Sequence, residues 1–129
     1  FDLMPTILEA CGVDAPANLD ARSILPLMLG ETPVEWPDEV FCEYLACQAG
    51  DMALKILRTK THKLAINLSD TDELFDLKAD PSETTNRIDD PEYFLIRGKL
   101  AHRLKAQMER TDDPMLDQFL ERMGAYFVG

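Results

Sequence analysis

The side chains with most capacity for chemistry crowd between Asp70 and Asn86. Asp70, Asp72, Glu73, Asp76, Asp80 and Glu83 surround the short apolar run Leu74-Phe75-Asp76-Leu77, with Lys78 as the local cation. Such a density of carboxylates could hold calcium. A calcium loop, however, needs oxygen ligands at alternating positions and a glycine for its sharp turn, as in D-x-[DN]-x-[DN]-G. Asp76-Leu77-Lys78-Ala79-Asp80-Pro81 has neither the spacing nor the glycine. The residues favour a mechanical reading. Asp80-Pro81 forces a turn, Asp80 or Ser82 caps a short turn of helix that Glu83 favours, and Asn86 ends it in a left-handed conformation.

Other constellations are thinner. Ser23, Ser69 and Ser82 lack a surrounding G-x-S-x-G, and neither His62 nor His102 is placed by sequence beside a nucleophile. The acid pairs Asp72-Glu73, Asp89-Asp90 and Asp112-Asp113 each precede or begin a turn or helix, where a carboxylate meets the positive helix end. The chain has no glycine-rich phosphate loop and no C-x2-C pair for zinc. Its three cysteines, Cys11, Cys42 and Cys47, cannot all pair internally, and they read as free, partly buried thiols, with Cys42 and Cys47 as packing residues. These side chains assemble no active site.

The elements that position them fall into thirds. A helix over residues 2–12 has Asp2 as a suitable N-cap, Pro5 in its first turn and Gly12 as its stop, with Leu3, Met4, Ile7, Leu8 and Cys11 on one face. Arg22 to Leu29 is a short apolar segment closed by Gly30. Strands are predicted over Glu39 to Leu45, Met52 to Thr59, Lys63 to Leu68 and Leu74 to Leu77, an antiparallel meander with a longest connection from Ala46 to Met52. Pro91 starts a long helix to about residue 110, presenting Tyr93, Ile96, Leu100, Leu104 and Met108 on one face. Asp113-Pro114 restarts the chain as a helix over about 114–127. The order of elements is α+β: a four-stranded antiparallel sheet packed against a long C-terminal helix, preceded by an N-terminal helical segment.

At 129 residues the chain is one domain's worth. No apolar run reaches the ~20 residues a membrane helix needs, and the net charge of −11 repels nucleic acid and anionic membranes, so neither is an expected partner. Phe1 is not a methionine, and the chain opens inside an apolar helical pattern, so it reads as a fragment whose upstream part is missing.

The order of four segments carries a resemblance. D-L-M-P-T-I-L-E-A-C-G-V (Asp2 to Val13) resembles the D-L-x-P-T-L-L-x-x-A-G-V segment of type I sulfatases of the alkaline phosphatase superfamily. L-D-A-R-S-I-L-P-L (Leu19 to Leu27) looks like their D-G-R-S-L-x-P-L, with Ala21 in place of glycine. I-L-R-T-K-T-H-K-L (Ile56 to Leu64) resembles their I-R-T-x-x-Y-K-L, and D-E-L-F-D-L-K-A-D-P-S-E-T-T-N (Asp72 to Asn86) is close to D-E-L-Y-D-L-x-x-D-P-x-E-x-x-N. His62 and Phe75 stand where the family has tyrosines, and the tail Met115 to Val128 does not match.

The resemblance implies a C-terminal subdomain, with residues 1–38 linking from a catalytic domain and 39–129 forming the subdomain proper. It implies sulfate-ester hydrolysis by the whole enzyme, with phosphonate or phosphate ester hydrolysis and a stand-alone interaction module as alternatives. The family's nucleophile motif, C/S-x-P/A-x-R, occurs nowhere around Cys11, Cys42 or Cys47. Formylglycine and calcium are therefore expected in the catalytic domain, not in this chain. The expected partner is that catalytic domain in the same polypeptide, with homo-oligomerisation open and a bacterial cytoplasm or periplasm as the implied compartment. The candidate substrate-facing side chains are Gln48 and Asp51, in the longest strand connection. The tail packs on its own domain or on a neighbouring subunit. An exposed apolar patch is expected from Ile7, Leu8, Leu25 and Leu27.

Overall fold

The computed structural model describes residues 1–34, 36–46 and 52–127, and the chain divides into two units, Phe1–Pro37 and Asp38–Gly129. In the second, β1 (Glu39–Ala46), β2 (Met52–Thr59), β3 (His62–Asn67) and β4 (Glu73–Asp76) pair antiparallel in the order β1-β2-β3-β4. Alternation along each strand sorts the side chains. Ala53, Lys55 and Leu57 of β2, with Leu64 and Ile66 of β3 and Leu74 of β4, are buried on the inner face. Register aligns Phe41 with Leu57 and Glu43 with Lys55 on that same face.

Asp90 begins the helical layer by accepting the Glu92 N–H at 3.1 Å, and Pro91–Tyr93 forms a 3-10 turn. Tyr93 and Ile96 of the predicted face pack at the core's margin, while Leu100, Leu104 and Met108 of α3 (Phe94–Arg110) lie fully inside it. The tail, which had two possible destinations, packs on its own unit. α4 (Leu116–Met123) buries Phe119 and Met123 completely in the same core, and a 3-10 turn, Gly124–Tyr126, follows. Gly98 permits this arrangement: a Cβ there would sit 2.9 Å from the Tyr126 carbonyl oxygen.

In the first unit, α1 (Leu3–Ala10) ends in Gly12 at φ +69°, and α2 (Leu25–Met28) is followed by Gly30 at φ +82°. Asp2 occupies the N-cap position of α1, but its carboxylate makes no cap; it accepts the Arg22 N–H at 3.1 Å instead. Thr6 ties the segment together, donating its hydroxyl to the Asp2 carbonyl and accepting the Ile24 N–H at 2.9 Å. Of the predicted patch, Ile7 and Leu27 are exposed, whereas Leu8 and Leu25 are half-buried; Leu3, Met4, Met28 and Leu29 add to the exposed set.

Three further expectations change. Cys11 and Cys42 are exposed rather than partly buried, because Cys42 points to the outer face of the edge strand β1; Cys47 lies outside the described residues. The segment after Asp80 forms turns and not a turn of helix. The left-handed residue is Glu83, at φ 53°, and not Asn86. The Asn86 side chain is occupied with other bonds: its Oδ1 accepts from Leu74 N and Ile88 N, and its Nδ2 donates to the Asp72 carbonyl.

Candidate functional site

Four carboxylates of residues 72–86, those of Asp72, Asp76, Asp80 and Glu83, answer to specific donors. Asp72, 3% exposed, accepts the Asn67 N–H at 2.8 Å, the Arg122 Nε–H at 3.0 Å and the Tyr126 hydroxyl at 2.6 Å. Burial and that bond to a carboxylate push the Tyr126 phenol far up from its ordinary value. Asp76 accepts from Ala79 N, Lys78 N and the Tyr93 hydroxyl, and the Ala79 N–H leads in holding its carboxyl below the usual range. Asp80 accepts from Thr84 and Thr85, the Thr85 N–H being the chief cause of its lowered pKa. These are the struts of a folded loop.

Glu83 has a different office. Arg58 of β2 and Lys63 of β3 stand directly opposite on the outer face, a like-charge pair that by itself destabilises a sheet. The Glu83 carboxylate bridges them, 2.7 Å from Arg58 Nη1 and 2.5 Å from Lys63 Nζ, and Lys63 first and Arg58 second lower its pKa. The left-handed backbone at Glu83 sits in the turn that delivers this side chain. Lys63 Nζ also lies 5.3 Å from the Phe75 ring centroid.

On the inner face, Lys55 is 1% exposed and bonds to Glu43 and to the 6% exposed Asp113 carboxylate. The rings of Phe41 and Phe119 flank it, each 5.9 Å away. Burial alone would drive its ammonium down, but the hydrogen bonds to Asp113 and Glu43 outweigh it and the pKa is raised. Sequence reading gives Asp113 only a place at a helix start and assigns Lys55 no role. The available signal was parity: Lys55 sits between Ala53 and Leu57 on the apolar side of its strand.

The remaining candidates stay apart. His62 Nδ1 is 2.8 Å from the Thr61 hydroxyl, a contact between sequence neighbours that braces the β2–β3 turn, with its ring edge-on to Tyr93. His102 is exposed on α3 with its ring 4.8 Å from that of Phe127. Ser23 accepts the Leu25 N–H and Ser69 bonds to Asn67. Gln48 and Asp51 lie outside the described residues. Among the described residues no group of three or more His, Cys, Asp or Glu could hold a metal ion. What these residues can do is brace a sheet and present its outer side.

That geometry meets its relatives in known proteins. Residues 1–110 match the family described as N-sulphoglucosamine sulphohydrolase, C-terminal. An N-acetylglucosamine-6-O-sulfatase of Bacteroides thetaiotaomicron is 29% identical over 118 residues, covering 87% of this chain and 21% of the relative. A solved 2-O GAG sulfatase superposes with a TM-score of 0.76 at 27% identity, over 87% of this chain and 25% of that one. The phosphonate monoester hydrolase SpPMH of Silicibacter pomeroyi superposes with a TM-score of 0.68 at 27% identity, over 89% of this chain and 26% of that one. The chain spans from 21% to 58% of the length of the first curated relatives it matches. With its four-stranded antiparallel sheet under a long helix, and with matches confined to the C-terminal part of sulfatases, the chain belongs to the N-sulphoglucosamine sulphohydrolase C-terminal family, within the alkaline phosphatase superfamily.

Proposed function

We propose that this chain is the C-terminal subdomain of a sulfuric ester hydrolase, bracing a catalytic domain of the same polypeptide and walling part of its substrate cleft. The observation that carries the reading is the family match over residues 1–110. The apolar side chains that the first unit leaves in water add support: Leu3 is 70% exposed, Ile7 61% and Leu29 70%. In this reading the formylglycine and calcium belong to the catalytic domain, where they would supply the nucleophile and charge stabilisation of sulfate transfer. Residues 1–38 link to that domain. Gln48 and Asp51, between β1 and β2, face the substrate.

A phosphonate or phosphate ester hydrolase is the second reading, favoured by the fold shared with SpPMH. One comparison separates the two. The polypeptide carrying its catalytic domain should turn over an aryl sulfate faster than a phosphonate monoester, while the 129-residue chain alone should turn over neither. The reverse preference establishes the second reading, and turnover by the chain alone overturns both. Gln48→Ala and Asp51→Ala should raise KM with kcat little changed; unchanged kinetics in both variants remove these two residues from the cleft.

A further inference from the structure

Among the described residues α3 is the longest helix, and in an acidic chain it is basic. It holds five of the 13 lysines and arginines and one of the 24 aspartates and glutamates, so the rest of the chain carries eight cations against 23 acids. Arg97 is engaged inside, its Nη1 donating to the Ile88 carbonyl at 2.6 Å and its guanidinium stacked over the rings of Phe94 and Tyr126. Three of the others share a ridge. Steps of four and seven residues bring Lys99, Arg103 and Arg110 into one exposed row ~16 Å long, set apart from the buried line of Leu100, Leu104 and Met108. Ala106 completes the row, and no carboxylate stands on it.

Ordinary helix chemistry does not account for this row. Lys99 and Arg103 form a like-charge i, i+4 pair, which by itself destabilises a helix. Arg103 reaches Glu39 of β1 at 2.5 Å, and Lys105, off the ridge, pairs with Glu109 at 3.3 Å. Among the described residues neither Lys99 nor Arg110 has a carboxylate partner; Arg110 donates its Nε–H to the neutral Gln107. Arg110 suits the negative end of the helix dipole, but Lys99 stands in the N-terminal half, where the dipole favours no cation. A row of cations held against repulsion attracts an external polyanion.

The width of the row selects among polyanions. It is one helix wide, with the acids Glu39 and Glu109 at its borders. A DNA duplex or an anionic membrane is broader, and would bring its charge against a chain of net charge −11. A single polysaccharide is narrow enough to lie along the cations alone.

We propose that Lys99, Arg103 and Arg110 form an anchoring site for a sulfated polysaccharide. This deepens the reading under Proposed function and rests on it for the choice of sulfate as the anion. The two guanidinium groups grip sulfate oxygens through paired N–H donors, and Lys99 adds a point charge. A polymer held on the ridge raises the local concentration of its own ester groups.

The probe is a heparin-derived oligosaccharide, with the same oligosaccharide stripped of its sulfates as control. The 129-residue chain should bind the first with an affinity that falls steeply with salt, and the second at least ~10-fold more weakly. Lys99→Ser with Arg110→Ser should weaken binding at least ~10-fold at unchanged Tm. Lys78→Ser, at an exposed lysine in the turn after β4, should leave it unchanged. No binding, or a loss on Lys78→Ser as large as that of the double variant, overturns the anchor, and equal affinity for a DNA duplex overturns the choice of polysaccharide. In the polypeptide that carries the catalytic domain, the double variant should raise KM for a sulfated polysaccharide and leave aryl sulfate turnover as it was. Aryl sulfate turnover with no change in that KM keeps the function and removes the anchor. Oligosaccharide binding that the double variant abolishes, in a polypeptide without aryl sulfate turnover, keeps the anchor and removes the function.

Discussion

A lysine enclosed at 1% exposure stays charged only while its anions stay with it, and this makes Lys55 a sensitive position. Removing one partner of a buried ion pair strands the other charge, so Asp113→Ala should cost about 3 kcal/mol even with Glu43 still present. Lys55→Met with Asp113→Leu should recover most of that loss, readable in urea midpoints. Glu83 makes a pH prediction. Its carboxyl titrates below its ordinary value because of Lys63 and Arg58, so its contribution is complete above the unfolded pKa of about 4.3 and fades as pH falls through the lower folded value. Glu83→Gln should therefore lose less Tm than the parent sequence between ~pH 5 and ~pH 3. Sequence alone identified residues 72–86 as a shaping segment, because turn chemistry is local. It could not supply the partners Arg58, Lys63, Arg122 and Tyr126, which tertiary folding brings from far along the chain. It also gave Asn86 the left-handed turn, since asparagine tolerates that backbone; three hydrogen bonds of its side chain hold it to another task.

At the scale of elements, the strands were legible to within a residue or two, since period-two alternation is a strong signal. The long helix was legible from its three- and four-residue steps. The packing of the tail was not, because an amphipathic helix states only that one face must be covered. Phe119, with no exposure, shows that the core itself is the cover. Phe119→Ala should cost ~3–5 kcal/mol, measurable as a fall in urea midpoint. Gly98 offers a finer test. Alanine in a helix normally gains about 1 kcal/mol over glycine, but here its methyl would strike the Tyr126 carbonyl at 2.9 Å. Gly98→Ala should destabilise the full chain and stabilise a version shortened before Tyr126. If the two backgrounds respond alike, the helix–tail approach is not the reason for that glycine.

For the whole molecule, the edges of the sheet set what it can join. β4 is sealed: its Leu74 N–H is taken by the Asn86 side chain, and its Leu74 carbonyl accepts the Arg87 N–H at 2.7 Å. Among the described residues, no backbone hydrogen bond from outside the sheet reaches β1, the other edge. A sheet open on both sides can be extended without limit, which is how fibrils grow. One open on a single side behaves as a monofunctional monomer does in a polymerisation: its first coupling is also its last. If two such chains ever annealed strand to strand, they would make one eight-stranded ribbon with both outer borders closed.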